Sequence, residues 1–430
     1  MAEHDALEGS GVSRLARSSN SSSRTASEPW WDPIVAGLRG WWTVHQPTVL
    51  GLAVMVMALL AVLKLGDELR RLVWDQGWTG AIDLKLFHVW VGDWFAGRPV
   101  YGDVEPAKYP PASFPILWLL LGWSSISVAR WLWAATSVGA LAWLALLLVR
   151  ESGARSWLQR AFVALMLLSL NATGVAIGNG QIILLVLPFL LAGLLRLRQP
   201  AAGWRHDLLT ATLILLSLVK PTISAPFFWL VLFGAGRLVP AIFVTLGYLG
   251  LTLVGASFQD TPILPLLATW QRQASANVVD YGYANVHSWL SDRGLETLTL
   301  PVSMITLLAL GLWVYRHRKG ELWVLVGVAA LIARFWNFHM LYDDVLVVLP
   351  MITLFQIAQR GPRPDGAGVL AGLLLAASVV AMLLPARLSW APWPWNAPFT
   401  IGHPLLWGAI LLFLLERAEH QRSAVASAAA

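Results

Sequence analysis

The chain of 430 residues contains no cysteine, which removes disulfides, thiolate metal sites and cysteine nucleophiles from consideration. Charge is nearly as scarce. Only 13% of residues are Asp, Glu, Lys or Arg, against roughly a quarter in an average soluble domain, too few to cover a surface facing water on all sides. Also missing are a Walker A loop, a dinucleotide fingerprint, an HExxH pair and a GxSxG elbow, so none of the motifs for nucleotide, zinc-protease or serine-hydrolase chemistry is offered. What is present is apolar: 57% hydrophobic residues, 25 tryptophans and a mean hydropathy of +0.63. Apolar runs recur from Leu50 to Leu415, the pattern of an all-α polytopic membrane protein.

The formal net charge of +6 is carried by short loops between apolar runs, while the N-terminal tail sets four arginines among acidic residues. That placement signals membrane orientation and implies no nucleic-acid partner. Residues 1–45, polar and rich in Ser and Arg, lack the apolar core of a signal peptide and are expected to form a disordered cytoplasmic tail. The Ala- and Ser-rich residues 418–430 are expected to form another. Asn20-Ser21-Ser22 fits a glycosylation pattern, which in such a tail arises by chance. Residues 46–417 read as one transmembrane domain of a multi-pass plasma-membrane protein.

The first span, 47–65, follows Arg14, Arg17, Arg24 and Arg39, which puts the N-terminus in the cytoplasm. Holding the later basic loops on that side (Arg150 to Arg160, Arg196 to Arg205, Arg237, Arg316 to Lys319, Arg360 with Arg363, Arg417 with Arg422) requires an even number of crossings between neighbours. The stretch 208–236 decides the count. Read as one span it would separate Arg205 from Arg237, but Lys220-Pro221 interrupts it. Two short helices meeting at Lys220 keep both arginines inside. Further spans are expected at 128–149, 157–175, 181–197, 238–257, 297–315, 321–336, 341–359, 367–384 and 403–416. The total is about 12 crossings, within 11 to 13, with both termini cytoplasmic. Phe114 to Trp123 is too short to span and follows Pro110 and Pro111, so a partly embedded helix is expected there. Outward segments are then 66–109, 257–296 and 385–403, with polar turns at 171–181, Lys220-Pro221 and 337–344. No repeat divides the chain into two similar halves, which disfavours the commonest transporter designs.

Candidate chemistry collects in those outward pieces. Asp83 precedes Leu84, Phe87, Val91, Trp94 and Phe95, an apolar stripe at helical spacing that predicts a helix along the membrane surface. The plainer role for Asp83 is an N-cap. An ionised lysine near the bilayer centre costs about 3 kcal/mol, so Lys220 is expected to face protein, water or an anion; the plainer reading is a snorkelling side chain. Asn179-Gly180-Gln181 forms a polar turn between apolar runs. Arg334, Asn337, His339, Tyr342, Asp343 and Asp344 crowd between two spans, and Arg334 is expected to pair with Asp343 or Asp344. Asn285, His287 and Ser288 read first as loop hydrogen bonders. Neither a metal cluster nor a cofactor is expected, although the adjacent carboxylates Asp343 and Asp344 could hold a cation.

These segments together resemble glycosyltransferase family 87, the polyprenyl-phosphate-mannose-dependent mannosyltransferase-like members of the GT-C fold. The matching pieces are Asp83-Leu84, Gly97 to Tyr101, Tyr109-Pro110-Pro111, Gly180-Gln181, Lys220-Pro221, Asn285 to Leu290 and His339 to Pro350. Their order and spacing cover residues 65 to 360. Two positions depart from the pattern: Phe87 where an aromatic hydroxyl is common, and His287 where a glutamine is common. The resemblance implies inverting transfer of one sugar from a polyprenyl-phosphate-linked donor, with mannose the default and arabinofuranose a second choice. The acceptor would be a hydroxyl of a glycolipid or polysaccharide at the outer face, and membrane lipids would hold the donor tail between spans. Asp83 would be the general base, and Lys220, His339 and Arg334 would receive the leaving phosphate. Asn179, Gln181, Asn285, His287, Tyr342 and Asp343 would hold sugar or acceptor hydroxyls. The competing expectations are a transporter or flippase of a lipid-linked sugar, and a structural component of an envelope assembly. Concentration of polar groups on one face favours the enzyme, since a transporter needs access from both sides.

Overall fold

A bilayer leaves the backbone no water to bond to, so each apolar run must satisfy its own N–H and C=O groups, as a helix does. The computed structural model describes residues 32–102, 106–199, 203–234, 236–275, 285–360 and 366–429, and every regular element among them is helical. Arg14, Arg17, Arg24, the Asn20 pattern and Arg363 lie outside the described residues. The chain opens with α1 (Asp32–Trp74), α2 (Ile82–Phe95), α3 (Ser113–Leu121), α4 (Ile126–Glu151), α5 (Trp157–Leu168) and α6 (Asn171–Asn179). Next come α7 (Ile183–Leu197), α8 (Trp204–Ser217), α9 (Pro221–Ser224), α10 (Phe228–Phe233) and α11 (Val239–Ala256). The second long connection carries α12 (Ile263–Ser275) and α13 (Val286–Ser291). The remainder is α14 (Thr299–His317), α15 (Leu322–Phe335), a 3-10 turn Leu341–Val347 leading into α16 (Val348–Gln359), α17 (Ala367–Leu383) and α18 (His403–Ala429).

Six helical segments are long and apolar enough to cross a membrane, or up to eight if each of two bent pairs is one span. The pairs are α5 with α6, bent by 48°, and α8 with Pro221–Phe233, bent by 118°. Helices α7, α15 and α17 are apolar but only 15, 14 and 17 residues long. The protein is thus an all-α polytopic membrane protein, and each apolar segment expected from the sequence coincides with a helix or a bent pair. Nearly every side chain of α15 and α16 is buried, as in helices surrounded by protein on all sides. Helices α1, α11 and α14 instead expose Val62, Leu253 and Leu312.

The break at Lys220 is a reversal. The two ends of the segment meet: Arg237 Nη2 lies 3.0 Å from Asp207 Oδ1 and 3.3 Å from His206 Nδ1. Helix α8, with 14 residues, is about 20 Å long, so Lys220 stands that far from the joined ends. Arg205 and Arg237 therefore lie close together, with Lys220 about 20 Å away along α8.

Two boundaries differ from the sequence reading. Residues 32–45 are helical, because α1 starts at Asp32 and carries Pro47 inside it. Ile34, Leu38, Trp41 and Trp42 supply an unbroken helical run there, and α1 at about 65 Å far exceeds the roughly 30 Å hydrocarbon core. It also runs on to Trp74, which shortens the first connection. Helix α18 likewise continues through 418–429, where Ala, Glu, Gln and Arg all favour helix.

Since the chain lacks cysteine, single-cysteine labelling reads the reversal directly. Trp204→Cys and Leu238→Cys, both at exposed positions, are expected to react with a membrane-impermeant maleimide from the same side of sealed vesicles. Reaction from opposite sides would make 204–238 a single crossing.

Candidate active site

The turn before α2 is built around Asp75. Its carboxylate accepts from Gly77 N at 2.8 Å and from Thr79 Oγ1 at 2.7 Å, and those bonds hold its pKa below the usual carboxylate value. Buried Arg130 of α4 donates to the carbonyls of Asp75 at 2.7 Å and Gly80 at 3.4 Å. A Cβ at Gly80 would lie 2.0 Å from Asp75 O, so glycine is required. Ala81 then adopts left-handed φ 53°, and its N–H bonds Gly178 O of α6 at 3.1 Å. Ala81, not Asp83, is the residue that caps α2, which corrects the N-cap reading. Asp83 lies within the first turn, half-buried, while Leu84, Phe87, Val91 and Trp94 form the buried stripe expected of this helix.

Helix α6 ends beside Asp83. Gly180, at φ 74°, closes the helix with its own N–H on Ile177 O and Gln181 N on Ala176 O, at 2.9 and 2.8 Å, the paired bonds of a left-handed helix stop. A Cβ there would come within 2.5 Å of Leu84 Cβ, so Gly180 also lets α2 approach. Asn179 and Gln181 are thereby set against Asp83. Burial raises the pKa of Asp83, and the Gln181 amide, the Lys220 charge and the Asn179 amide oppose that rise. Asp83 Oδ2 is buried without a hydrogen-bond partner, an uncommon condition that calls for a donor.

Lys220 occupies the apex between α8 and α9 in a non-helical conformation, as a residue before proline prefers. Ser113 Oγ of α3 donates to the neighbouring Val219 O at 2.7 Å and ties the apex down. Lys220 Nζ donates to Asp343 Oδ1 at 2.6 Å and to Gln181 Oε1 at 3.4 Å, and lies 5.0 Å from the Tyr342 ring centroid. Asp343 Oδ2 accepts from Met340 N at 3.3 Å and faces His339 Nδ1 at 3.2 Å. Since His339 Nε2 meets Ala333 O at 2.6 Å, it carries the proton, and a bond at Nδ1 needs a second proton shared with Asp343. Burial lowers the pKa of His339 against the pull of Asp343.

The predicted residues therefore divide. Asp83, Asn179, Gln181, Lys220, His339, Tyr342 and Asp343 form one cluster. Arg334 is fully buried, donates through Nε to Asp344 and stacks over Trp407 at 4.9 Å. Asp343 and Asp344 thus serve different cations. Asn285 caps α13 by accepting from Ser288 N at 2.9 Å. His287 Nε2 donates to Ser303 Oγ at 2.8 Å, and Ser303 Oγ donates in turn to Trp336 O at 2.9 Å. Two neighbours escaped the sequence reading. Tyr109 packs edge-on against Phe87 at 5.2 Å, and burial together with Asp343 and Asp83 keeps its hydroxyl protonated well past the usual range. Its only signal was its place in the YPP motif. Arg71 reaches Asn179 Oδ1 at 2.8 Å, and its signal was the charged pair it forms with Glu68 near the end of an apolar helix.

No family model, curated protein or solved structure matches this chain.

The arrangement couples one carboxylate in need of a donor, two amides and a lysine already shared with a second carboxylate. It can accept a proton from a hydroxyl brought to Asp83, and Lys220 can turn from Asp343 towards an incoming anion. Beside it, a groove of about 440 Å³ runs along the outer face of α2, lined by Trp78, Ile82, Lys85, Leu86, Trp90 and Asp93 among others.

Burial, and then the charge of His339, pushes the His287 pKa from 6.5 down to about 4. The unfolded chain therefore binds more protons between those values. Stability is full above pH 6.5 and falls as pH drops through this window, by up to about 3 kcal/mol. His287→Gln keeps a donor for Ser303 and does not titrate. Unfolding of the purified variant in detergent is expected to be flatter than wild type over that window; equal slopes would remove His287 from the acid response.

Proposed function

We propose that the protein is a membrane glycosyltransferase that moves a single sugar, mannose as the first candidate, from a polyprenyl-phosphate-linked donor to an acceptor hydroxyl. The reading carries the topology with it: about 12 crossings, both termini cytoplasmic and the site facing outward. One observation supports it above others. Side chains from four separated segments, α2, the end of α6, the 220 apex and the 339–343 turn, meet around a buried carboxylate oxygen of Asp83 that has no partner.

In this mechanism the acceptor hydroxyl supplies the missing hydrogen bond to Asp83. Its oxygen attacks the anomeric carbon opposite the phosphate, the bond from carbon to phosphate oxygen breaks, and the hydroxyl proton passes to Asp83. The sugar is inverted. Lys220, relinquishing Asp343, meets the charge that develops on the phosphate, with His339 beside it. Arg334 contributes at one remove, since its guanidinium is engaged with Asp344. Asn179, Gln181, Tyr342 and Asp343 hold hydroxyls, while Asn285 and His287 shape the wall through α13. Burial makes Asp83 a stronger base than a solvated aspartate, and the amides and Lys220 favour its ionised form. A glycolipid or polysaccharide fits as acceptor, and membrane lipids surround the donor tail.

Asp83→Asn in purified protein with a labelled polyprenyl-phosphate sugar is expected to lower the transfer rate by about a hundredfold or more and to leave donor binding intact. Wild-type transfer is expected to rise with pH as Asp83 ionises, with its midpoint above the ordinary value of about 3.9. Full transfer by the Asn variant would sink the mechanism, and no transfer by wild type from any donor would favour transport of the lipid-linked sugar.

A further inference from the structure

We infer that Arg71 is a positioning residue for Asp83: by binding the carbonyl oxygen of Asn179 it turns that amide's NH2 group onto the carboxylate. The catalytic meaning of this rests on the glycosyltransferase reading, whereas the orientation itself does not.

Arg71 lies in the last turn of α1 and spends its donors on three different segments. Nε donates to Glu68 Oε2 at 2.6 Å, Nη1 to Thr79 O at 2.8 Å and Nη2 to Asn179 Oδ1 at 2.8 Å. The guanidinium is planar and fixed by this fork. It has no acceptor, so the Asn179 atom it meets must be oxygen, and the two N–H donors must point away. Asp83 is brought alongside by the Ala81–Gly178 bond and by the close approach of Gly180 to Leu84, and the Asn179 amide favours its charged form. Gln181 repeats the logic, with Lys220 on its carbonyl oxygen and its NH2 group left for Asp83. Each amide is thus locked by a cation that is itself neutralised, Arg71 by Glu68 and Lys220 by Asp343.

The backbone leaves room for this device. A Cβ at Gly178 would lie 1.9 Å from Glu68 Oε2 and 2.3 Å from Arg71 Nη2, so the pair crosses α6 where it has no side chain. Thr79 O, the third acceptor, belongs to the turn that launches α2. Arg71 therefore fixes both the amide and the start of the helix that carries the base. Other groups facing Asp83 are Lys220, Asp343 and Tyr342 across the cluster and Tyr109 from the loop before α3.

The test follows the Asp83 carboxyl by infrared titration of full-length protein labelled with carbon-13 aspartate, the band assigned by its loss in Asp83→Asn. Arg71→Gln frees the Asn179 amide, and the Asp83 midpoint is expected to rise by about one pH unit. Arg71→Lys, which keeps one donor, recovers part of that shift. In an Asn179→Leu background the Arg71→Gln change moves nothing further. An unchanged midpoint in Arg71→Gln overturns the inference, as does an equal shift in the Asn179→Leu background, which would make the effect one of bare charge. Should Arg71→Gln fail to fold, Asn179→Leu alone carries the test: its midpoint rises if the amide acts on Asp83, and an unchanged midpoint overturns the inference. Sugar transfer measured on the same proteins separates the two readings. A shifted midpoint with no transfer by wild type leaves the positioning role and removes the enzyme. Transfer by wild type with an acid limb that Arg71→Gln does not move, at constant donor KM, removes the positioning role and leaves the enzyme.

Discussion

The contact between Lys220 and Asp343 holds the architecture of this end of the bundle. A lysine taken out of water at the tip of a reversing segment is costly to leave bare, and a carboxylate at 2.6 Å meets that cost at one point. The consequence is geometric. The hairpin of α8 to α10 can end only where the 341–347 turn presents Asp343, and that turn begins the most deeply buried stretch of the chain. Tyr342 offers its ring to the same ammonium and Gln181 its carbonyl. Three segments far apart in sequence are registered against one another through a single charge. Breaking such a pair leaves the other partner charged and buried, which costs several kcal/mol.

Neighbouring acids illustrate how finely the charge is divided. Asp343 and Asp344 are adjacent, yet one serves Lys220 and His339 and the other serves Arg334 beneath Trp407. A 3-10 turn makes this possible, because successive side chains leave it about a third of a turn apart. The cluster around Asp83 consequently includes Lys220 and leaves Arg334 outside it.

The sequence was informative where a physical cost had to be met locally. Lys220-Pro221 between Arg205 and Arg237 announced a reversal, and the ends do meet through Asp207 and Arg237. The apolar stripe after Asp83 announced α2 and its buried face. Tertiary contacts were silent. Nothing in the residues around Arg71 says that Gly178, more than a hundred positions later, leaves a gap for it, nor that Tyr109 turns its ring onto Phe87. The capping role given to Asp83 failed for a similar reason: the start of α2 is set by a bond from Ala81 to a distant carbonyl. Residues 32–45 and 418–429 are helical although the tails they belong to are polar in composition, because such residues are adequate helix formers once a helix is already running.

The left-handed Ala81 has one further implication. Without a glycine's freedom, such a backbone costs about a kilocalorie per mole or more, and it persists here because its methyl is fully buried and its N–H is held by α6. As the chain enters the membrane, α2 emerges long before α6 exists to receive that bond. The turn that aims Asp83 therefore cannot set during early insertion. The setting of Asp83 is therefore completed late, when α6 packs, so a chain that stops short of α6 has the residue without its surroundings.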